Sequence, residues 1–548
     1  MIGLLHGYLL EGSGSNLWTR AIARSLCRRG EPLHLVCQEN HPERYDFISR
    51  ALSYGKDGSV ETVLRRETPY PAPCTLHKPS LGATLPVYVW DQYEEFERVV
   101  PMTELSDAEI EAYLERNVEV VTRVVREHAV TVLHANHAVL MSVVAERVSQ
   151  AAGVPFTVMP HGSAIEYAVK KDERFLRYAS GALSEAARVF VIGREMRQRV
   201  VSVFGQTLPA VAEKLVELNL GVDTELFEPA SRRDRAARIG TLKRALAYSP
   251  RGKGPAQSER LGELLPGCST REELLAALWL SSEYDHKLPD RDLEARLDRI
   301  DWTSAPVILF VGRLIASKGL HSVLAALPPI LEHVPNARLL VVGHGPLREP
   351  MEALLWALRS GDRELAENIV AWGSSLEGPG ERPLEEVRAY WDTLAESGAL
   401  DGYFELARAL LGEDSVVFTG YLTHTELRHL FPCCDAAVFP SVVAEAGPLV
   451  FLEALASGCF PLGTYFAGMA ASIDSLASEL PDAAEAMKLS PEPGQTVAEI
   501  AAKVPRALAL GASYGKQLRR VAVERYDWRS VSGRFAATLK TVAESEAA

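Results

Sequence analysis

Cysteine is scarce in this sequence, and long apolar runs are missing. The seven cysteines are scattered over 548 residues without a Cys-x-x-Cys spacing, and their odd number fits reduced structural thiols. No apolar run reaches about 18 residues, so the sequence predicts no transmembrane helix. The start, MIGLLHGYLL, has no basic n-region and contains His6, which favours a buried first strand over a signal peptide. We therefore expect a cytoplasmic protein.

Positive charge is also in deficit. There are 58 lysines and arginines against 72 aspartates and glutamates, which gives a formal net charge of −14 and a pI near 5.6. This balance argues against a general polyanion-binding surface, so we predict no nucleic-acid partner. It lowers only mildly the expectation of contact with an anionic membrane, and peripheral contact stays open. The composition is otherwise ordinary for a folded chain of more than one domain.

Short apolar runs alternate with amphipathic helices in two series. The first series begins with MIGLLHGYLL, the loop EGSGSN, the helical LWTRAIARSLCRRG and the strand PLHLVCQ. The second begins at APVILFVGRL and continues through ARLLVVGHGP and SVVFTGYL to CFPLGTYF. This order predicts an α/β protein with two Rossmann-like parallel sheets buried on both faces. Two such sheets predict two domains facing across a cleft, where ligands bind beyond the carboxyl ends of the strands.

The same pattern divides the chain into segments. We assign residues 1–222 to an N-terminal Rossmann-like domain, 223–302 to a linker plus helical insertion, and 303–520 to a C-terminal Rossmann-like domain. A second helical insertion is expected at about 355–413 of that domain. Residues 521–548 read as a C-terminal helical segment, for which a return to the N-terminal domain is one option. We interpret both insertions as solvated amphipathic helices rather than acceptor-binding elements.

One apolar run, EAGPLVFLEALASGC at residues 445–459, carries two glutamates. It follows the strand DAAVFPS, so we expect Glu445 on the strand-to-helix loop. Pro448 suits the first helical position and Gly458 the position just past the end. The residues therefore predict a helix over about 448–457. A buried helix with two solvated acids is the plain alternative.

The amino end of that helix predicts an anion site. The amides of Leu449 and Val450 lack partners within the helix there, and the helix dipole is positive at the same place. Glu453, about one and a half turns further on, can accept two hydrogen bonds from a vicinal diol such as a ribose. Amides for a phosphate beside an acceptor for a diol suggest a nucleotide.

A second pair of charges supports this interpretation. The stretch VGRLIASKG places Arg313 directly after a strand and Lys318 five residues later, so both cations can reach a diphosphate at the same edge. Such residues are usually solvated when they stand alone. The pair indicates a nucleotide site because it occurs together with Glu445 and Glu453.

The order of these motifs resembles that of the retaining glycosyltransferases of the GT-B fold in glycosyltransferase family 4, the glycosyl transferases group 1. The marks of that family are the Glu-x7-Glu and Arg-x4-Lys pairs of the C-terminal domain. PHGS with His161 resembles the family's histidine after an N-terminal-domain strand, and NLGVDTELFEP (219–229) resembles its interdomain linker. VVGHGP and VVFTGYL resemble its next two strand–loop units. The likeness covers about three-quarters of the chain, and excludes both insertions and residues 45–105.

The resemblance implies a hexosyltransferase that takes its sugar from a UDP-, GDP- or ADP-sugar and keeps the anomeric configuration. The N-terminal domain would lie on the acceptor side and the C-terminal domain would bind the nucleotide sugar. Arg313 and Lys318 would hold the leaving diphosphate, Glu453 the ribose and Glu445 a hydroxyl of the transferred sugar. His161 would lie near the anomeric centre.

Glycines complete the expected site. The resemblance implies that Gly12 and Gly14 let the first loop approach phosphate or acceptor closely. Family members commonly have an aromatic residue at the position of Gly447, and many have glycine where this chain has Pro448. Proline removes an amide donor, so Gly447, Leu449 and Val450 are the remaining candidates for binding the diphosphate or sugar.

We predict no metal ion in this site and no cofactor beyond the donor. The DRD stretch (290–292) stands in a charged insertion and not at a strand end, and HANH offers His134 and His137 without a third ligand, so we interpret both as structural. The alternatives are a GT-B enzyme of other chemistry, a sugar-nucleotide epimerase or a phosphorylase, and a non-catalytic nucleotide-sugar-binding protein. The acceptor, its linkage and the oligomeric state stay open.

Overall fold

The computed structural model describes residues 1–11, 13–88, 96–378, 380–444 and 447–545. The chain divides into two compact units: unit 1 consists of Met1–Gly221 with Arg525–Ala548, and unit 2 of Val222–Glu524. Two predicted site residues, Gly12 and Glu445, lie outside the described residues. Among the helices described, none combines the length and apolarity needed to span a bilayer.

Unit 1 contains a nine-stranded sheet in the order β11-β10-β9-β8-β1-β2-β5-β3-β4, in which only β3 and β4 pair antiparallel. A separate parallel pair is formed by β6 and β7. The strands are β1 (Ile2–Leu5), β2 (Leu33–Val36), β3 (Ile48–Tyr54), β4 (Val60–Arg65), β5 (Cys74–Pro79), β6 (Thr84–Val87), β7 (Arg98–Pro101), β8 (Val132–Asn136), β9 (Phe156–Met159), β10 (Arg188–Ile192) and β11 (Leu215–Leu218).

Helices cover both faces of this sheet. They are α1 (Gly14–Arg28), α2 (Asp107–His128), α3 (Met141–Ala152), α4 (Gly162–Ala164), α5 (Glu173–Glu185), α6 (Gly193–Phe204), α7 (Val211–Lys214) and, after unit 2, α22 (Trp528–Ser545). Leu5 of β1 belongs to the apolar cluster that contains α2 and α3, whereas Leu4 belongs to the cluster that contains α1 and α22. Adjacent residues of a strand point to opposite faces, so both faces of β1 are buried and its uninterrupted apolar sequence is explained.

The last helix packs on unit 1. The ring of Phe535 in α22 lies 5.8 Å from that of Trp18 in α1 and 5.0 Å from that of Phe190 in β10. Ser25 Oγ is 2.8 Å from Ser532 Oγ. Apolar and polar contacts therefore both join the end of the chain to the face that α1 covers.

Unit 2 contains a six-stranded, fully parallel sheet in the order β14-β13-β12-β15-β16-β17. Its strands are β12 (Val307–Val311), β13 (Arg338–Val342), β14 (Val416–Gly420), β15 (Ala436–Phe439), β16 (Phe460–Thr464) and β17 (Lys488–Leu489). All five residues of β14 and of β16 are buried, as in a parallel sheet covered on both faces.

The helices of unit 2 include those of both insertions. They are α8 (Arg235–Leu246), α9 (Pro255–Leu264), α10 (Arg271–Ser281), α11 (Leu293–Leu297), α12 (Leu320–His333), α13 (Arg348–Ser360), α14 (Arg363–Trp372), α15 (Glu385–Glu396), α16 (Leu400–Leu410), α17 (His424–Leu430), α18 (Leu449–Ser457), α19 (Ala467–Asp474), α20 (Pro481–Met487) and α21 (Pro493–Val521). Residues 223–302, assigned from sequence to a linker and insertion, belong to unit 2.

Buried charges anchor the first insertion. Lys253 is 1% exposed, and its Nζ lies 2.9 Å from Glu349 Oε1. Asp290 of the DRD stretch accepts hydrogen bonds from Arg348 at 2.7 Å and Arg296 at 2.8 Å. The interpretation of this insertion as solvated helices is therefore incomplete, because ion pairs of this kind hold it against α13.

Candidate functional site

The helix α18 begins one residue later than predicted. Pro448 has φ −85° and ψ 102°, so it precedes the helix as its N-cap and the prediction of Pro448 as the first helical residue is wrong. Gly458 follows the last residue of the helix with φ 73°, and this prediction is confirmed. Leu449 and Val450 are therefore the first two helical residues, whose amides have no acceptor within the helix.

Glu453 of α18 is buried but incompletely paired. Its side chain is only 6% exposed, and its Oε1 lies 2.8 Å from His424 Nε2 at the start of α17. Its Oε2 is buried and has no hydrogen-bond partner among the described residues. A buried acceptor without a donor costs about 1–3 kcal/mol, so a hydroxyl group supplied by a ligand would be stabilised there.

Arg313 and Lys318 lie on the loop that follows β12. Arg313 is exposed two residues after the strand, and Lys318 ends a short 3-10 turn, Ala316–Lys318. The next residue, Gly319, has φ 74°, and a Cβ built on it would stand 2.0 Å from the carbonyl oxygen of Pro440. Only glycine therefore lets the Lys318 turn lie against the chain that follows β15.

A backbone hydrogen bond fixes the same neighbourhood. The N–H of Val442 donates to the carbonyl of Ser317 at 2.9 Å. The β12 loop thus contacts the segment that leads towards α18. Because β12 and β15 are adjacent parallel strands, their carboxyl ends share one edge of the sheet. The structure brings the two predicted cations to the edge at which α18 begins.

His344 and Tyr421, which the sequence analysis did not single out, follow the next strands at this edge. His344 comes after β13, and its ring lies 5.2 Å from that of Tyr421 after β14. Burial lowers the pKa of His344, and the positive charges of Lys287 and Arg313 lower it further. Lys287 and Arg313 are thus positive neighbours of His344. In the sequence, the VVGHGP and VVFTGYL motifs were the available signal for His344 and Tyr421.

In unit 1, His161 lies two residues after the end of β9. Its φ is 49° and the residue is half-buried. Its Nε2 lies 3.1 Å from Asn136 Oδ1 at the end of β8. Asn136 Nδ2 donates to Thr19 Oγ1 at 2.8 Å, so its Oδ1 accepts from His161 Nε2–H. Burial lowers the pKa of His161 to about 3, helped by His6 and His134. The imidazole is therefore neutral at pH 7.

Two further histidines surround this group. The ring of His137 lies 4.9 Å from His161 and is stacked 5.7 Å from His6. Both ring nitrogens of His137 are buried without a partner among the described residues. His6 contacts Asn16 Oδ1 at 3.0 Å, and burial lowers its pKa to about 4. HANH shows no third metal ligand in the sequence, which favours a structural role, but its position at a strand end is a signal for a polar site.

His134 and Gly14 have other surroundings. His134 Nδ1 pairs with Thr157 Oγ1 at 2.8 Å, and its ring contacts Phe190 and Phe535 in the core. Gly14 is the first residue of α1, and no neighbouring atom lies within 4 Å of where a Cβ would stand. No described residue of unit 1 therefore requires glycine at that position.

Comparisons with known proteins agree with the fold. Two family profiles, both described as glycosyl transferases group 1, match residues 305–392 and 396–477. Sucrose-phosphate synthase of Thermosynechococcus elongatus is 16% identical and aligns over 99% of each chain with a TM-score of 0.53. Anabaena Alr3699/HepE in complex with UDP is 14% identical and aligns over 99% of this chain and 100% of that chain with a TM-score of 0.51. The catalytic domain of starch synthase IV of Arabidopsis thaliana bound to ADP and acarbose is 11% identical and aligns over 99% of each chain with a TM-score of 0.52. The predicted α/β, GT-B fold class is confirmed.

Curated relatives match shorter stretches. A GDP-mannose-dependent alpha-(1-6)-phosphatidylinositol monomannoside mannosyltransferase of Mycolicibacterium smegmatis is 32% identical over 87 residues, which are 16% of this chain and 22% of that protein. An uncharacterized glycosyltransferase of Methanocaldococcus jannaschii is 28% identical over 152 residues, 28% of this chain and 25% of that protein. The matches therefore span a quarter or less of these relatives.

Proposed function

We propose that this protein is a retaining glycosyltransferase, which moves a hexose from a nucleotide-diphosphate sugar to an acceptor. The observation that carries this proposal is the edge of unit 2, where Arg313 and Lys318 lie on the loop that contacts the segment before α18. A buried carboxylate oxygen of Glu453 is left to accept a hydrogen bond in the same helix. The matching family profiles cover this part of the chain.

The charges of this edge fit a nucleoside diphosphate as leaving group. Breaking the glycosyl–phosphate bond builds negative charge on the diphosphate, and fixed cations and helix amides stabilise that charge as it forms. Arg313, Lys318 and the amides of Leu449 and Val450 supply this stabilisation, and Gly447 offers a further amide. Glu453 accepts from the ribose. No divalent ion is then needed at the diphosphate.

His161 acts on the sugar as a neutral group. With its pKa lowered to about 3, it carries no charge at pH 7 and cannot stabilise the diphosphate electrostatically. Among the described residues, the groups that contact it are Asn136, His137 and Trp18, and none of these contributes a carboxylate that could serve as a covalent nucleophile. Front-face attack beside the departing diphosphate is therefore the mechanism we favour. Glu445 keeps the role that the resemblance implies, contact with a hydroxyl of the transferred sugar. Gly12 likewise keeps its implied role of letting the first loop approach phosphate or acceptor closely.

The donor belongs to the UDP-, GDP- or ADP-sugars. The mycobacterial relative is described as dependent on GDP-mannose, and the aligned structures hold UDP or ADP. These names support a nucleotide sugar and do not favour one base. The acceptor is unidentified.

Nucleotide binding and donor hydrolysis test this function together. Calorimetry with UDP, GDP and ADP should show one preferred nucleotide, and its sugar conjugates should be hydrolysed slowly without an added acceptor. Binding without any turnover would indicate a nucleotide-sugar-binding protein. Sugar phosphate released only with orthophosphate would indicate a phosphorylase. Arg388→Ala, an exposed arginine of α15, is the control for nonspecific charge loss.

A further inference from the structure

Three histidines from distant parts of the sequence converge in unit 1, and none belongs to the site described above. His34 lies on β2, His77 on β5, and His128 is the last residue of α2. One ring nitrogen of each lies within 4.8 Å of the other two. His34 and His77 are buried and His128 is half-buried.

Hydrogen bonds account for only part of this cluster. His77 Nδ1 lies 2.7 Å from Tyr54 Oη, and His34 Nδ1 lies 2.8 Å from His77 Nε2. His128 Nε2 is buried and has no partner among the described residues. An unpaired buried nitrogen is unusual in a native structure and calls for an unseen partner.

We propose that His34, His77 and His128 bind one divalent transition-metal ion of the zinc class. Two ring nitrogens that face each other at 2.8 Å can share one proton, or each can turn a lone pair towards a cation. In the tautomer whose Nδ1–H donates to Tyr54 Oη, His77 turns the lone pair of its Nε2 towards the ion. The Tyr54 hydroxyl then orients the ring as a second-sphere partner. Tetrahedral Zn–N bonds of 2.0–2.1 Å place ligand nitrogens about 3.3 Å apart, so the His34–His77 pair must open by a few tenths of an ångström. The rings of His34 and His128 are stacked with their centroids 4.4 Å apart, so one of them must turn for both lone pairs to reach the ion.

The donor set selects the kind of ion. Three imidazoles with no carboxylate suit zinc, copper or nickel and not magnesium or calcium. Arg50 is a positive neighbour of His77 and repels a cation. The affinity for the metal ion must therefore come from the nitrogen lone pairs and not from a net negative charge.

Such an ion would act on the fold. It would join β2, β5 and the end of α2, which lie far apart in sequence. It lies outside the proposed diphosphate site, so this inference does not depend on the proposed function. No sequence motif predicts this cluster, because the three histidines are separated by 43 and 51 residues.

Metal content tests the proposal without an activity assay. The full chain without a polyhistidine tag is stripped with chelator, incubated with Zn²⁺, desalted and analysed by elemental mass spectrometry. We expect about one zinc per chain, at least a tenfold lower content in His128→Asn, and a melting temperature raised by Zn²⁺ only where zinc is retained. His333→Asn, at the last residue of α12, is the matched control and should retain zinc.

Two results would overturn the site: wild-type protein without stoichiometric zinc, or His128→Asn that retains as much zinc as His333→Asn. Circular dichroism checks that each variant is folded. Should His128→Asn unfold, Co²⁺ added to the stripped wild type gives a second readout. Visible absorption typical of a four-coordinate nitrogen site supports the proposal, and its absence contradicts it.

Discussion

The two units hold candidate sites of opposite electrostatic character. In unit 1, His161 lies among neutral groups, and burial lowers its pKa to about 3. In unit 2, the exposed Arg313 and the Lys318 turn stand at the edge where α18 begins, and α18 carries the buried carboxylate of Glu453. The unit 2 edge suits an ionic diphosphate, whereas the unit 1 cluster suits an uncharged sugar. Substrate charge is thus expected to be recognised by one unit only.

Acid should destabilise unit 1 before unit 2. His6, His134 and His161 have folded-state pKa values of about 4, 3 and 3, below the unfolded value of 6.5. The unfolded chain therefore binds more protons below pH 6.5, so the stability they contribute is present above that pH and is lost towards pH 4. The loss for the set is on the order of several kcal/mol.

Hydrogen exchange of the full chain, corrected for the intrinsic effect of pH, measures this loss segment by segment. Protection of β8 and β9 should fall between pH 7 and pH 4 while that of β12 and β13 persists. Equal loss of protection in both units, or loss in unit 2 at a higher pH than in unit 1, would contradict the prediction that the buried histidines of unit 1 make it the more acid-sensitive unit.

Loss of a diphosphate cation should give the largest effect on turnover. Arg313→Ala or Lys318→Ala removes a group that meets growing negative charge, so donor hydrolysis should fall by about 10²-fold or more. Initial rates at saturating donor measure this, with Arg388→Ala as the control. Near-normal rates in both variants would remove these residues from the site.

Glu453→Gln should weaken the nucleotide by about tenfold, or about 1.4 kcal/mol. An amide offers one acceptor atom where the carboxylate offers two, so the glutamine of the variant cannot accept from both His424 and a hydroxyl of the ribose. Calorimetry with the preferred nucleotide measures the change. The 2′-deoxynucleotide should bind with equal affinity to the wild type and to Glu453→Gln. If its affinity still differs between the two proteins, Glu453 does not contact the ribose 2′-hydroxyl.

His424→Ala should have a smaller effect, about threefold on the same affinity. His424 is 42% exposed, so its pair with Glu453 is worth little and mainly orients the carboxylate. His429→Ala, on the same helix, is the control. A loss as large as that of Glu453→Gln would show that His424 itself contacts the nucleotide.

The sequence predicted where the charged residues lie in the fold better than where the histidines lie, for a physical reason. Arg313, Lys318 and Glu453 stand at fixed distances from strand and helix ends, so their meeting at one edge follows from the parallel sheet. The roles of Asn136 and His137 depend instead on burial and on contacts between β1, β8 and β9. Local sequence does not show which histidine of HANH faces the core, as His134 does, and which faces His161.

Other differences between the sequence predictions and the structure also arise from contacts that are remote in sequence. The start of α18 depends on the backbone angles of Pro448, which suit either an N-cap or a first helical position until neighbouring loops are placed. The charges of Lys253 and Asp290 looked solvated, because their partners at the start of α13 are remote in sequence. The α/β class and the alternation of strands and helices in each series followed from hydrophobic pattern alone.

The stereochemistry of donor hydrolysis, followed by proton NMR in excess EDTA, tests the proposed transfer as a whole. We predict that the first sugar released has the anomeric configuration of the donor. The rate should also be unchanged by Mg²⁺ or Mn²⁺, because Arg313, Lys318 and the amino end of α18 already neutralise the diphosphate. An inverted first product, or hydrolysis that stops with EDTA and returns with Mg²⁺ or Mn²⁺, would contradict the mechanism.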